Sequence, residues 1–404
     1  MDIKIEIVNN IDEVESYNWD ACSYNIGKNK VTESDSRPLD PFTTHRFLRA
    51  LEKSKSVGKG TGWYPQHLVA LRNNEVVGVL PMYLKNDSQG EYIFDHNWAQ
   101  AYHNAGGYYY PKLQVSVPFT PATGRRFLLK HKDDNLVISE FLKFIKAFSI
   151  KNNLSSAHVT FCESYEKDIP IKMGFLDRET YQFHWKNDNF RNFDCFLSTL
   201  SHRKRKSIKK ERKVAAEFGG EILTLSGRDI KAEHWDYFWK FYQNTGSRKW
   251  GKPYLTRNFF REIHKNMVDD VLLVLAVRHD RPVAGALNFI GSNTLYGRYW
   301  GMTDYYKFLH YELCYYQAID YAIKNGLKKV EAGAQGDHKI SRGYLPCKIN
   351  SLHWFSHNGM HKAIENYLIS EKDASSLDEK ILKKISPFKE VNDNGRKSIS
   401  GSKK

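Results

Sequence analysis

Glu331, His338, Lys339 and Tyr344 stand within one short stretch, EAGAQGDHKISRGY (331–344). A carboxylate or an imidazole can take a proton, an ammonium can steady a developing anion, and a phenol can donate a hydrogen bond to it. These four are the catalytic candidates. Gln335 and Arg342 in the same stretch, with His310 and Glu312 upstream, are candidates for holding a substrate. His338 and Arg342 share a face if their segment is helical, whereas a two-residue step turns His310 and Glu312 apart.

Two sharper patterns fail. His310-Tyr-Glu312 with Pro346-Cys347 is like the HxE…PCxxC pattern of zinc deaminases. Position 350 is Asn, however, so the metal would lack a ligand and no metal site is assigned. Cys314 reads as mid-helix among apolar residues, where cysteine behaves as a small buried hydrophobe rather than a nucleophile.

The elements that position these groups follow from periodicity. Leu309, Leu313, Tyr316, Ile319 and Ile323 recur at three- and four-residue steps, which predicts an amphipathic helix closed by Asn325-Gly326. Leu327–Ala332 reads as a strand running into Gly333-Ala334-Gln335-Gly336. Helix, buried strand, glycine break and polar cluster together describe a ligand cleft beyond a strand end.

The formal charge of the 404 residues is +15, from 61 Lys and Arg against 46 Asp and Glu. It is concentrated in HRKRKSIKKERK (202–213), with eight cations and one Glu, which suits an anionic partner. The five cysteines are scattered with no CxxC spacing, which argues against a disulfide frame or zinc finger and for a reducing compartment. No apolar run is long enough to cross a membrane and the N-terminus has no apolar signal core, so the expected location is cytoplasmic.

Two parts of the chain resemble each other. LVALRNNEVVGVLPMYL (68–84) and LAVRHDRPVAGALNFI (275–290) both read as strand, polar two-residue turn, strand, with Gly78 set beside Gly285. Each is followed by a helix (Asn135–Phe148, Leu309–Lys324) and a further strand (Ala157–Phe161, Leu327–Ala332). Between the first hairpin and its helix, Trp98–Arg126 reads as aromatic and irregular with one strand, Lys112–Val117. Meander, crossover helix and strand is the order of the GNAT acyltransferase fold. The predicted class is α/β (α+β), two tandem GNAT-like modules, each a mixed, mainly antiparallel sheet flanked by helices. The modules are placed at 1–189 and 190–370, the second opening with a basic helix over 202–218, and 371–404 as a polar, disordered tail.

Tandem modules of this kind are the architecture of the Fem-type peptidyltransferases. DPFTTHRFLRALE (40–52), TGWYPQHLVA (61–70), YYPKLQVSVPFTPATGRR (109–126), HRKRKSIKKERK (202–213), LNFIGSNTLYGRYWG (287–301), HYELCYYQAIDYA (310–322) and EAGAQGDHKISRGYLP (331–346) resemble the FemAB-like predicted N-acyltransferases. The resemblance covers about residues 40–355. Gln100 departs from it, standing where the family leads one to expect an acidic residue. It implies transfer of an acyl or aminoacyl group onto an amine, a small molecule or peptide, with no tightly bound cofactor. Acyl-CoA or aminoacyl-tRNA would be the co-substrate. Neither module shows the (Q/R)xxGx(G/A) pyrophosphate loop of acetyl-CoA enzymes. Thr120, Thr123, Gly124 and Arg125, read as leading straight into a helix, are the nearest equivalent. Arg203, Lys204, Arg205, Lys209 and Lys210 would meet tRNA phosphates, and Asp95, Tyr102, His103 and Lys112 would hold the acceptor. The alternative is a binding module of the same fold that recognises RNA or a cell-wall precursor without catalysis.

Overall fold

Two tight turns organise the sheets. Asn73-Asn74 and His279-Asp280 take φ values of 52°, 63°, 50° and 59° in the computed structural model, the left-handed pair that a two-residue hairpin requires and that Asn and Asp tolerate best. The structure describes residues 2–24, 37–249, 253–333 and 336–389.

The first half contributes β1 (Lys4–Val8), β2 (Trp63–Pro65), β3 (His67–Arg72), β4 (Glu75–Leu80), β5 (Met82–Lys85), β6 (Lys112–Val115), β7 (Leu128–Leu129), β8 (Ser156–Cys162) and β9 (Leu176–Lys186). The second contributes β10 (Glu221–Ser226), β11 (Val271–Arg278), β12 (Arg281–Ile290), β13 (Thr294–Met302), β14 (Lys329–Glu331) and β15 (Leu345–Phe355). A four-stranded sheet runs β1-β3-β4-β7, and an 11-stranded sheet runs β10-β11-β12-β13-β14-β9-β15-β8-β6-β5-β2. Both predicted hairpins are present, and β11-β12-β13 is the predicted second meander, but the stretch read as one strand over 76–84 is two, β4 and β5, which belong to different sheets.

Each hairpin also carries a bulge at the same distance from its turn, after Leu71↔Val76 in one and Val277↔Pro282 in the other. Counted from those turns, Gly78 is equivalent to Ala284, not to Gly285. A one-residue offset moves a side chain to the other face. A Cβ on Gly78 would lie 2.8 Å from Val137 of the helix after the meander, whereas one on Gly285 would lie 3.3 Å from Phe238 and Phe241 of the helix before it.

The long sheet is continuous because the halves exchange strands. β9 pairs with β14, and β15 returns to lie between β9 and β8. A cut at residue 189 divides the chain but not the sheet. The halves also share a core: Phe42 packs edge-on to Phe289 and Tyr296, with ring centroids 5.2 and 5.0 Å apart, and Phe47 meets Phe259 at 5.8 Å.

Several local expectations are corrected. Part of the stretch read as irregular is a helix, His96–Asn104. The basic helix is shorter than 202–218, spanning His202–Ala216. Thr120–Arg126 does not open a helix: β7 intervenes and the helix starts at Asn135, capped by the Asp134 side chain. The segment read as a disordered tail begins inside a helix, Asn358–Lys384, which Arg178 anchors through two bonds of 2.7 Å to Glu371. Residues 390–404 lie outside the described residues.

Candidate functional site

β13 and β14 are parallel neighbours for only three pairs, Thr294↔Lys329, Leu295↔Val330 and Tyr296↔Glu331. Past Tyr296 and Glu331 the pairing stops, and a cleft of about 310 Å³ opens at the fork, lined there by Gly297, Ala332 and Gly333. Side chains from both faces of the sheet reach it. On one face are Trp300, His310, Cys314, Tyr315, His338 and Lys339; on the other, Arg298 and Tyr299 with Tyr242 and Tyr254. Tyr92, Phe94 and Pro121 of the first half close the second side.

The helix leading into the cleft is interrupted. Between Leu309–Tyr311 and Gln317–Lys324 lies a π-helical turn, Glu312–Tyr316, an irregularity that recurs at functional sites. Successive residues Cys314 and Tyr315 both line the cleft. The reading of Cys314 as a buried hydrophobe is therefore corrected: it is half-buried with its neighbours in the lining.

His338 is exposed, its Nε2 2.9 Å from the Tyr315 hydroxyl, and its ring lies 6.4 Å from that of His310. Lys339 is buried and donates to the Gly333 carbonyl at 2.9 Å. No Asp or Glu is among the described residues that line the cleft.

Glu331 is close by but turned away. Val330 faces the core under the helices, so Glu331 faces the opposite side with Tyr296. Lys329 donates to its Oε1 at 2.6 Å, and its buried Oε2 has no hydrogen bond among the described residues. His184, directly across the ladder, stands 3.9 Å from that oxygen. Burial lowers the His184 pKa although Glu331 opposes the shift.

Other candidates serve the scaffold. Tyr344 is fully buried and its hydroxyl donates to the Tyr315 carbonyl at 3.3 Å, so it is not a donor to a ligand in the cleft. Glu312 is gripped by Arg212, at 3.1 and 2.9 Å, and by Gln317 at 2.8 Å. Arg342 forks onto Glu211 at 3.1 and 2.9 Å, stacks 3.5 Å over Tyr311, and donates to the His338 carbonyl at 2.5 Å. Gln335 lies outside the described residues.

Asp95, Tyr102 and Lys112 form a separate buried cluster with Glu91, Tyr109 and His158. Lys112 lies between Asp95 and Glu91, 2.8 Å from the latter. Burial opposes its charge, but the two carboxylates outweigh that and raise its pKa. Burial also pushes Glu91 up to about 7 against the pull of Lys112. Asp95 is held well below the carboxylate range because Lys112 overcomes desolvation. Tyr102 donates to Ser155 at 3.2 Å, and His103 is exposed on the same helix.

Thr120–Arg126 is largely consumed internally. The Thr120 hydroxyl donates to Pro118 at 2.9 Å, and Arg126 donates to Thr160 and Ala122 at 2.8 Å each. Arg125 reaches the Cys22 carbonyl at 3.5 Å. A Cβ on Gly124 would strike Asp40 at 2.3 Å, so glycine here serves close packing. The Thr123 hydroxyl is buried without a partner.

On the basic helix, Glu211 and Arg212 turn inward, while Arg203, Lys206, Lys209, Lys210 and Lys213 are exposed and Arg205 is half-buried. Lys204 donates to Ser341 at 2.9 Å, which sets this cationic face beside the His338–Lys339 end of the cleft. Sequence reasoning missed Arg298, Tyr92, Tyr242, Tyr254, Tyr299, Tyr315 and His184. The one available signal was the LYGRYWG segment, which places Arg298 among strand aromatics.

A family model described as FemAB-like, peptidoglycan biosynthesis/recognition, matches residues 10–390. Among curated proteins none matches the chain in sequence. Among solved structures, FemX superposes at TM-score 0.53 and 13% identity, covering 90% of this chain and 100% of its own. A conserved protein of unknown function from Bacteroides thetaiotaomicron gives 0.52 at 9% identity, covering 87% and 100%. A tandem GNAT protein from the clavulanic acid biosynthesis pathway gives 0.44 at 10% identity, covering 88% and 99%. What FemX and the Bacteroides protein share with this chain at these identities is the fold.

Proposed function

We propose, for a chain that belongs to the FemAB-like family of peptidoglycan biosynthesis/recognition, that it is an N-acyltransferase moving an aminoacyl group from tRNA onto an amine. The observation that carries this reading is the cleft at the β13–β14 fork, reached from both faces of the sheet and holding His310, His338 and Lys339 with no carboxylate among the described residues that line it. A two-sided cleft lets donor and acceptor meet without either leaving, which makes the transfer effectively unimolecular.

Acyl transfer needs a neutral amine and a stabilised tetrahedral oxyanion. With Glu331 turned away, His338 is the base that can take the amine's proton, oriented by Tyr315. Lys339, held by Gly333, lines the cleft on the same face as His338 and is assigned to the oxyanion.

The donor assignment rests on what precedes the helix at Leu309. Residues 303–308 contain no glycine, Phe308 takes φ 63°, and no side chain caps the helix start. That turn does not fit a pyrophosphate cradle, and Thr120–Arg126 does not stand at a helix start. The exposed cations of His202–Ala216, beside the cleft, fit a phosphate backbone instead.

Product formation followed by mass spectrometry, with charged tRNA or acyl-CoA and an amine panel, tests the reading. Salt-dependent tRNA binding is measured in parallel. Transfer from charged tRNA is expected; transfer from acyl-CoA alone overturns the donor, and tRNA binding without turnover across the panel favours the non-catalytic module.

A further inference from the structure

The arm of the cleft away from His338 holds a cation that the transfer step does not use. Pairing of β12 with β13 runs Asn288↔Gly297 and then Leu287↔Tyr299, so Arg298 is the extra residue of a bulge. Alternation would send Arg298 and Tyr299 to opposite faces; the bulge puts both into the same arm. Both also hold the first half of the chain, since the Arg298 Nη2 and the Tyr299 hydroxyl each donate to the Phe119 carbonyl. Phe119 takes φ 58° and stacks on Tyr254 at 5.0 Å.

This engages Nη2, the nitrogen shared by both bidentate edges of the guanidinium, and leaves the Nε and Nη1 donors. Its carbon lies 5.1 Å from the Tyr299 ring centre and 5.8 Å from that of Phe42. Among the described residues neither Nε nor Nη1 has a hydrogen-bond partner, and no carboxylate pairs with Arg298. The Tyr92 hydroxyl in the same arm likewise makes no hydrogen bond to the described residues. A half-buried cation with unused Nε and Nη1 donors, beside an unused phenol, is complementary to an anion.

We propose that Arg298 and Tyr92 form an anion subsite, and that the acceptor is an amine that also carries a carboxylate, as an amino acid or peptide does. The carboxylate accepts a charge-assisted hydrogen bond from Nη1 and a second from the Tyr92 hydroxyl, and the amine extends toward His338. The amine's destination rests on the transferase reading; the anion subsite does not. A phosphate presents similar oxygens, so the probes must separate the two.

The test is calorimetric titration of the full chain, without donor, with alanyl-alanine, alanyl-alaninamide and O-phosphoethanolamine. Alanyl-alanine is expected to bind about 10- to 100-fold tighter than its amide, the usual loss when a charge-assisted bond is removed, and tighter than O-phosphoethanolamine. Arg298→Met is expected to abolish the preference for the free carboxylate. Tyr92→Phe, which removes a hydroxyl with no protein partner, guards against a folding artefact and should reduce it several-fold. Equal binding of dipeptide and amide, no binding of the dipeptide, or a preference that survives both substitutions overturns the subsite. Tightest binding of O-phosphoethanolamine overturns the carboxylate. If the dipeptide preference stands but no donor gives product, the transferase reading fails and the subsite remains; transfer to dipeptide and amide at equal kcat/KM does the reverse.

Discussion

His158 on β8 and His353 on β15 are cross-strand partners whose Nδ1 atoms lie 2.8 Å apart. Their Nε2 atoms are also bonded, to Ser156 at 2.8 Å and Tyr109 at 3.1 Å for His158, and to Ser351 at 2.9 Å for His353. One ring must donate through Nδ1 and the other accept, so the accepting ring is a neutral imidazole. Burial holds both well below the ordinary histidine range; Lys112 adds to this for His158, and His158 itself does for His353.

A pH dependence of stability follows. The unfolded chain protonates these imidazoles near pH 6.5, whereas the folded chain keeps them neutral, so below that pH the unfolded state binds more protons. Their contribution is complete above about pH 6.5 and is lost progressively as the pH falls. Urea midpoints should drop from pH 7.5 to pH 5 at constant slope. His353→Leu should cost about 1–3 kcal/mol at pH 7.5, leaving His158 unpaired, and should flatten the profile. Raised carboxylates such as Glu91 oppose this trend, so the decisive quantity is the difference between the native chain and His353→Leu: a difference that does not change between these pH values refutes the neutral pair.

Lys112 gives a second stability prediction. Lys112→Met strands two buried carboxylates, Glu91 and Asp95, each of which already has one unbonded oxygen. The expected loss is about 3–5 kcal/mol, as for breaking a buried ion pair. Adding Asp95→Asn should restore part of it. Recovery by the second change separates this structural role from the acceptor-holding role read from sequence.

The chemistry can be assigned by comparing two variants. His338→Ala should lower kcat/KM by about 10²- to 10⁴-fold, the usual worth of a general base. Glu331→Gln should change it only a few-fold, because that carboxylate faces away from the cleft. The reverse pattern in initial rates, read by mass spectrometry, would return the base to Glu331.

Electrostatics of the basic helix are tested by salt. Replacing Arg203, Lys209 and Lys210 together by Gln should lower the slope of log affinity against log salt for tRNA by about 2–3. All three are exposed, so the melting temperature should stay within a degree or two. An unchanged slope would place the RNA elsewhere or nowhere.

What the sequence disclosed divides along physical lines. The hairpins were legible because Asn73-Asn74 and His279-Asp280 are turn residues between apolar runs. The helix and strand from Leu309 to Glu331 were legible through their periods. Glu331 was misplaced because both faces of a central strand are buried, and a period of two has no fixed phase. Arg298 was invisible because a bulge, a property of pairing rather than of residue type, decides its direction. The charge of residues 202–213 was plain, but not that Glu211 and Arg212 face inward. TPATGRR misled because two leucines, Leu128 and Leu129, suffice to insert a strand before the helix.

The exchange of β9 and β15 has a consequence for synthesis of the chain. β8 must wait with one edge uncovered until the ribosome has made β15. During that interval a row of free amides and carbonyls, flanked by apolar side chains, is available to any passing strand. The nascent first half therefore depends on shielding by chaperone or ribosome surface, and separately expressed halves should recover order only on mixing.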